Sequence, residues 1–511
     1  MNFRKITTFL SLSLLSTMGF SQQYGLTGCS VGTQEGAMIK ERMLENRRLI
    51  PAEQIDAFRS SRAVTYVPVK FTIVGNSSSQ GYVDIDNVFA MLCDMNDDYR
   101  TQNVQFYMKD LTNTIRYANN QNVYNDGAGF SSQSYMVQNK SSNAVNIYMS
   151  ASVNNQVASY YSPVGDFIFV LNQMTNGSSS TGSHETGHFL SLPHTFLGWE
   201  GTTFNNGTAP NSVGGDPVEK VARTGTGSNC ASAADGFCDT PADYLSYRAF
   251  CPYNGGGLDP TGVAINPEES LIMSYFADQC VDSFTADQKN AMAADLLSRG
   301  WSNLAAPTPN ATVTGMGMTA SNPLTGTSNP LNGDITLTWN AVPNATAYVV
   351  LLERTLLGSP IETIRKTIVY GTNSLTVPAS ALAYPRQYTW KVKPFNQYSA
   401  CGPYSSPFTF TTTAPVSSNN DIFKENAELK IVSNPVSTSS AEILVNVPAA
   451  TSGSLLLYSM DGKQIINENG IEFNSGDNVQ LLDVSTLGDG TYILVITTPE
   501  GSLQQKMVIS K

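Results

Sequence analysis

His184-Glu185-Thr186-Gly187-His188-Phe189-Leu190-Ser191-Leu192-Pro193-His194 is the stretch on which the reading of this chain turns. It holds all three histidines of a 511-residue sequence. On a helix, residues i and i+4 share a face, so His184 and His188 can aim their imidazoles at one metal ion. His194, six residues further on, is the third candidate ligand. Neutral imidazoles suit Zn²⁺, and three protein ligands leave one coordination position for water, the arrangement of a catalytic site. Glu185 stands beside the first ligand, where a carboxylate can take a proton from that water. An H-E-x-x-H match alone arises by chance. Satisfied core histidines, however, would not cluster this way with none placed elsewhere.

Outward from this stretch, the chain divides by composition. It is too long for one hydrophobic core. Charged residues make only 14%, and Lys+Arg 29 against Asp+Glu 41 leaves a net charge of −12. That balance argues against nucleic acid or an anionic membrane surface as partner. Apolar residues at 41% and aromatics at 10% exclude a largely disordered chain. Residues 1–21 read as a secretory signal: Arg4 and Lys5 precede a short apolar run that ends at Phe20. Leu26-Thr27-Gly28-Cys29 has the shape of a lipoprotein box, but polar Ser21-Gln22-Gln23 separates it from that run. No later segment has the apolar length of a membrane helix. Residues 22–62 read as a helical, charged pro-segment ending in an exposed basic stretch around Arg59 and Arg62.

From Thr65 the pattern alternates. Thr65 to Val74 reads as a strand, with Pro68 marking a start or an edge. Val88, Met91, Leu92, Met95 and Tyr99 recur at helical spacing. Strands are expected at 104–108, 145–149 and 167–171, and a helix at 181–192. A loop-rich stretch follows to about Cys280, then a helix capped by Thr285 and stopped at Gly300. After the small-residue linker at Ala305 come β-type runs at sandwich spacing, with Trp339, Tyr348 and Trp390 as core candidates. A third, again all-β unit occupies about 428–511.

The motif around the histidines resembles the metzincin zinc signature, in particular that of the pappalysin-like metallopeptidases. Ile272-Met273-Ser274-Tyr275, then Asp278, Cys280, Phe284-Thr285 and Gln288, resembles the family's methionine turn, and Asp239-Thr240-Pro241 is similar to a family tripeptide. The resemblance covers about 25–300. It implies an α+β metzincin-like catalytic domain over 63–303, with Met273 as the floor of the site and Tyr275 as stabiliser of a tetrahedral intermediate. Asp278 would line the pocket just past the scissile bond and favour Arg or Lys there by charge pairing. Without the family, Met273 is a core methionine, Tyr275 a buried aromatic and Asp278 a solvated loop acid. The family usually has Gly where Ser191 stands, because the chain must turn there with positive φ. Serine in that conformation costs about 1 kcal/mol.

Seven cysteines leave an odd one. Cys230, Cys238, Cys251 and Cys280 lie where staples help most, and four cysteines permit three pairings. The resemblance implies Cys230–Cys251 and Cys238–Cys280. Cys93 and Cys401 read as buried free thiols. In the family a pro-segment cysteine occupies the open zinc position. Cys29 is the candidate for that role, keeping a zymogen latent until cleavage near Arg59 or Arg62, against the alternative of an idle tail cysteine. Structural Ca²⁺ is likewise implied by the resemblance. Asp216, Asp235 and Asp239 are its candidate ligands, with solvated loop acids as the alternative.

Residues 310–413 resemble a fibronectin type III module. Ser433-Asn434-Pro435, Asp461-Gly462-Lys463, Leu487 to Tyr492 and the terminal Lys506 to Lys511 resemble the sorting domain of the bacterial type IX secretion system. The whole therefore reads as a multi-domain chain, an α+β catalytic domain followed by two all-β sandwich domains. The expected activity is that of a secreted zinc endopeptidase acting on proteins or peptides, delivered by the secretion machinery through its C-terminal unit. A surface adhesin with a vestigial zinc fold is the alternative.

Overall fold

The computed structural model describes residues 29–511 except 62–63, 154–158, 246–250, 302–311, 314–317, 357, 415–422 and 424–425. The stretch 1–21 expected to be a signal, the start of the expected pro-segment and Arg62 lie outside the described residues. Two helices, α1 (Thr33–Leu49) and α2 (Ala52–Ser60), precede the first strand, β1 (Thr65–Gly75). Helix α3 (Ile85–Asp98) follows, starting at Asp84, whose side chain accepts from Asp86 N. Then come β2 (Val104–Met108), α4 (Leu111–Thr114), β3 (Ile115–Asn119), α5 (Gln121–Asn125), α6 (Phe130–Asn139), β4 (Val145–Ser150), β5 (Tyr160–Ser162) and β6 (Phe167–Leu171). The sheet order is β2-β1-β4-β6-β5, with β3 also on β1. Every pair is parallel except β5 with β6. Near-continuous apolar runs such as Phe167 to Leu171, buried at every position, suit a sheet covered on both faces. Pro68 pairs with Tyr107 of β2, and β4 joins only from Val69, so the proline falls where β1 still has a free side.

Helix α7 (Thr181–Phe189) carries the histidine motif and is buried along its whole length. Its glycines make that possible. A Cβ at Gly182 would lie 2.6 Å from Met91 Cγ of α3, and one at Gly187 would lie 2.3 Å from Met273 Sδ. The helix is shorter than the sequence pattern suggests, because a Schellman turn closes it: Ser191 N donates to His188 O and Leu192 N to Gly187 O. Ser191 takes φ of 67°, the left-handed conformation expected of it. Helix α8 (Ala286–Ser298) starts with a capping box between Thr285 and Gln288. It packs on α1 and α2.

The disulfides differ from expectation. Cys230 pairs with Cys238, and Cys251 with Cys280. Between Cys230 and Cys238 the backbone folds back on itself, through Ala233 N to Asn229 O and Gly236 N to Ala233 O, which brings the two Cα atoms to 5.1 Å. A long-range pairing of Cys230 with Cys251 is thereby replaced. Cys93 and Cys401 are not free thiols: they form a third bridge, 308 residues apart in sequence. Cys29 is the free cysteine among the described residues.

Two further cores follow. In the first, a three-stranded and a five-stranded sheet enclose Trp339, Trp390 and Tyr348, with the two indoles 6.1 Å apart. The second, built from Phe423 to Ile509, also lies between two antiparallel sheets.

Candidate active site

The catalytic candidates come together from α7, from the loop that follows it to His194, from the chain around Met273 and from Cys29 ahead of α1. His188 Nε2 and His194 Nε2 lie 3.1 Å apart. The ligand atoms of His184, His188, His194 and Cys29 all fall within 4.8 Å of one another. All four residues are buried. Each imidazole has its other nitrogen occupied: His184 Nδ1 faces Ile272 O at 2.7 Å, His188 Nδ1 faces Leu192 O at 2.7 Å, and His194 Nδ1 faces Glu200 Oε1 at 3.1 Å. An acceptor at Nδ1 calls for the proton there and leaves Nε2 as a lone pair aimed inward. Burial lowers His184 to about 4 and holds His188 well below its ordinary value, so both stay neutral, the form that binds metal.

His184 Nε2 is buried without a hydrogen-bond partner among the described residues, and Glu185 is buried beside it, facing the Cys29 thiol and the Tyr161 backbone. Orphaned buried polar atoms are costly. Two lone-pair nitrogens facing each other at 3.1 Å would also repel. A divalent cation held by the three imidazoles would relieve both the orphaned His184 Nε2 and the repulsion, and the donor set of three imidazoles and a thiol suits zinc. Burial pushes Glu185 up to about 8.

Tyr275 lies against the cluster, with its ring centroid 4.9 Å from that of His194 and its hydroxyl donating to Cys29 O at 3.0 Å. Met273 is fully buried beneath Gly187, and its carbonyl accepts from Thr195 N at 3.2 Å. Cys29 Sγ stands 3.6 Å from both His188 Nε2 and His194 Nε2. Its neighbour Ser30 N donates to Ser159 O at 2.6 Å, and Cys29 forms a parallel bridge with Ser159 just ahead of β5. Burial and the nearby Glu185 carboxylate raise the thiol's pKa well above its ordinary value.

Helix α1 continues over the domain. Arg42 reaches Asp295, Tyr161 Oη and Phe189 O, Lys40 reaches the carbonyls of Ser232 and Ala234, and Arg47 lies over the Phe237 ring. Asp278 is exposed and outside the metal cluster. Its Oδ1 accepts from Ser180 N at 2.9 Å and Ser180 Oγ at 2.7 Å, at the entry to α7.

The three candidate calcium ligands do not form one group. Asp216 is exposed, and Asp239 holds the start of α8 through Thr285 Oγ1 and Asp287 N. Asp235 is buried, with Oδ2 unpartnered. It lies close enough to the buried Glu219, whose Oε2 is also unpartnered, for their charges to interact. Glu219 and Glu200 escaped the reading of the sequence, because neither sits in a recognisable motif. Glu200 follows His194 by six residues, and only the folded loop brings the two together.

Residues 433–510 match the family described as secretion system C-terminal sorting domain. About half of the chain has relatives among proteins named as extracellular metalloproteases. It is 23% identical over 273 residues to "Extracellular metalloprotease 1" of Coccidioides posadasii, covering 49% of this chain and 83% of that protein. It is 23% identical over 308 residues to an extracellular metalloprotease of Colletotrichum graminicola, covering 56% and 95%. Among solved structures, a promirolysin mutant from Tannerella forsythia aligns over 54% of this chain and 96% of that one, at 16% identity and a TM-score of 0.35. Among the described residues no helix is long and apolar enough to cross a membrane. By these similarities the chain is an exported relative of extracellular metalloproteases, with a secretion sorting domain at its C-terminal end.

Proposed function

We propose that this chain is a secreted zinc endopeptidase made as a latent precursor, with 22–62 as its pro-segment and 63–303 as its catalytic region. One observation carries the reading: three imidazoles and the Cys29 thiol converge, with their ligand atoms within 4.8 Å of one another, beside the buried carboxyl of Glu185. A zinc ion held by His184, His188 and His194 would supply a Lewis acid for the scissile carbonyl and a water of lowered pKa. Glu185, beside the first ligand, would accept a proton from the attacking water and pass it to the leaving amine. The Tyr275 hydroxyl, which in this structure donates to the Cys29 carbonyl, turns to the carbonyl oxygen of the substrate and stabilises its negative charge. Met273 supports α7 from below, in contact at Gly187.

Latency follows from the same contacts. The Cys29 thiol sits where the water would enter, and its carbonyl occupies Tyr275. Arg42 and Lys40 fix the remainder of the segment, and the exposed Arg59 at the end of α2 suits cleavage. Asp278, an exposed acid near the entry to α7, supports a preference for Arg or Lys just after the scissile bond. A structural Ca²⁺ is proposed at Asp235, with Glu219 as a second ligand, where two buried carboxylate oxygens lack partners.

The test is hydrolysis of casein by the processed chain, with and without chelator, beside a Glu185→Ala protein. Chelator-sensitive hydrolysis that Glu185→Ala abolishes is the expected result. Equal clearing by Glu185→Ala, or none by either, would favour an adhesin with a vestigial site.

A further inference from the structure

The three ligand histidines are not held alike. His184 and His188 lie on one helix, and each offers Nδ1 to a backbone carbonyl fixed by that helix's surroundings. His194 lies on the loop beyond the Schellman turn, and its Nδ1 faces a carboxylate instead. Its ring is stacked on Phe196, with centroids 4.5 Å apart and planes 14° apart, and Tyr275 packs against it. Stacking fixes the plane of an imidazole, but it does not choose between two orientations related by a half-turn within that plane. In one of these Nε2 reaches the cluster; in the other a carbon does. The hydrogen bond at Nδ1 makes the choice.

Glu200 is placed for that task. Its side chain is 8% exposed, and its Oε2 is fixed by Gly198 N at 2.8 Å, which leaves Oε1 directed at His194. Thr33 Oγ1, at the start of α1, also donates to Oε2 at 3.0 Å. We propose that Glu200 is the positioning residue of the third metal ligand, orienting His194 for zinc through Oε1 while the pro-segment docks on Oε2 through Thr33. The assignment rests on the zinc reading above. Outer partners of this kind typically contribute 10–100-fold to metal affinity.

The test is zinc affinity of the full chain, measured by chelator competition for the native protein, Glu200→Ala, Glu200→Gln and His194→Ala, together with thermal unfolding of each with and without zinc. Glu200→Ala is expected to bind zinc about 10–100-fold more weakly. Glu200→Gln, whose amide oxygen still accepts from Nδ1, is expected to recover part of the loss. The cobalt-loaded Glu200→Ala protein is expected to show an altered visible spectrum. The assignment is overturned if Glu200→Ala keeps native zinc affinity. It is equally overturned if both variants unfold at lower temperature without zinc yet gain the native increment when zinc is added, since Glu200 would then be structural only. If the native chain itself binds no zinc that His194→Ala removes, the zinc reading fails, and this assignment with it.

Discussion

Ser191 shows how a single torsion angle fits a site. The turn that ends α7 must send the chain from His188 to His194 within six residues, and a left-handed residue at position 191 does this. Serine there carries two burdens: φ of 67° and a buried Oγ without a partner. Ser191→Gly relieves both and is expected to stabilise the chain by about 1 kcal/mol, read as a rise in denaturation midpoint. A fall would mean that the hydroxyl has an unrecognised role. Cys29 is the second informative residue. Removing a metal ligand should release more than the ~1.4 kcal/mol that makes a tenfold change. A Cys29→Ala precursor is therefore expected to hydrolyse peptide at least about tenfold faster than the native precursor, even with α1 in place. If it stays as inactive as the native precursor, the thiol is not the latch. His184 and His188 were legible as a pair because helical spacing alone brings i and i+4 together, while His194 was legible from its clustering with them and from the extended motif. The place of Cys29 was legible only through the family resemblance, because nothing local links residue 29 to residue 188.

At the scale of elements, hydrophobic period predicted β1, α3, β2, β4 and β6 closely, whereas the short β3 and β5 and the helices α4 to α6 were missed. Thr285 announced α8 through its capping box. The loops between α7 and α8 were less readable, since no period governs them and turns decide which cysteines meet. The same turns divide the acidic residues. Asp239 is bound to the first turn of α8, where a carboxylate meets unpaired N–H groups. Asp235 is buried with an unpartnered oxygen. Replacement of each by Asn should separate the two roles. Asp239→Asn is expected to cost about 1 kcal/mol with or without calcium. Asp235→Asn is expected to abolish any stabilisation that added calcium gives the native chain. Unfolding curves in calcium and in chelator decide the matter, and a calcium increment that survives in Asp235→Asn removes the proposed site.

At the scale of the molecule, the first sandwich is fastened to the sheet region and does not hang from a linker. Cys401 is bonded to Cys93 of α3, Phe395 packs on Phe89 at 4.9 Å, and Tyr398 stacks on Tyr107 at 5.1 Å. Around them Lys366 pairs with Asp84 and Asp86, Tyr404 Oη donates to Asp86, and Gln397 O accepts from Met108 N. Four of the module's strands were legible in sequence, those at 335–339, 347–356, 374–377 and 386–395; this contact was not, because it joins residues some 300 positions apart. It also bears on the active site. Helix α3 carries Cys93 and Phe89 towards the sandwich, while Met91 meets α7 at Gly182 and Tyr99 Oη donates to Ser183 O, beside His184. A fragment ending near 303 would bare Phe89 and leave Cys93 unpaired, so it is a poor stand-in for the enzyme. In the full chain, replacing Cys93 and Cys401 together by Ala should cost about 3 kcal/mol, roughly 5–10 °C in unfolding temperature. Calorimetry of the native protein should show the sheet region and the first sandwich melting in one transition, and the double variant should broaden or split it. Hydrolysis should fall along with stability, because the support behind α7 loosens. Two separate transitions in the native protein, or a double variant with unchanged melting and activity, would show that the sandwich is only a passenger.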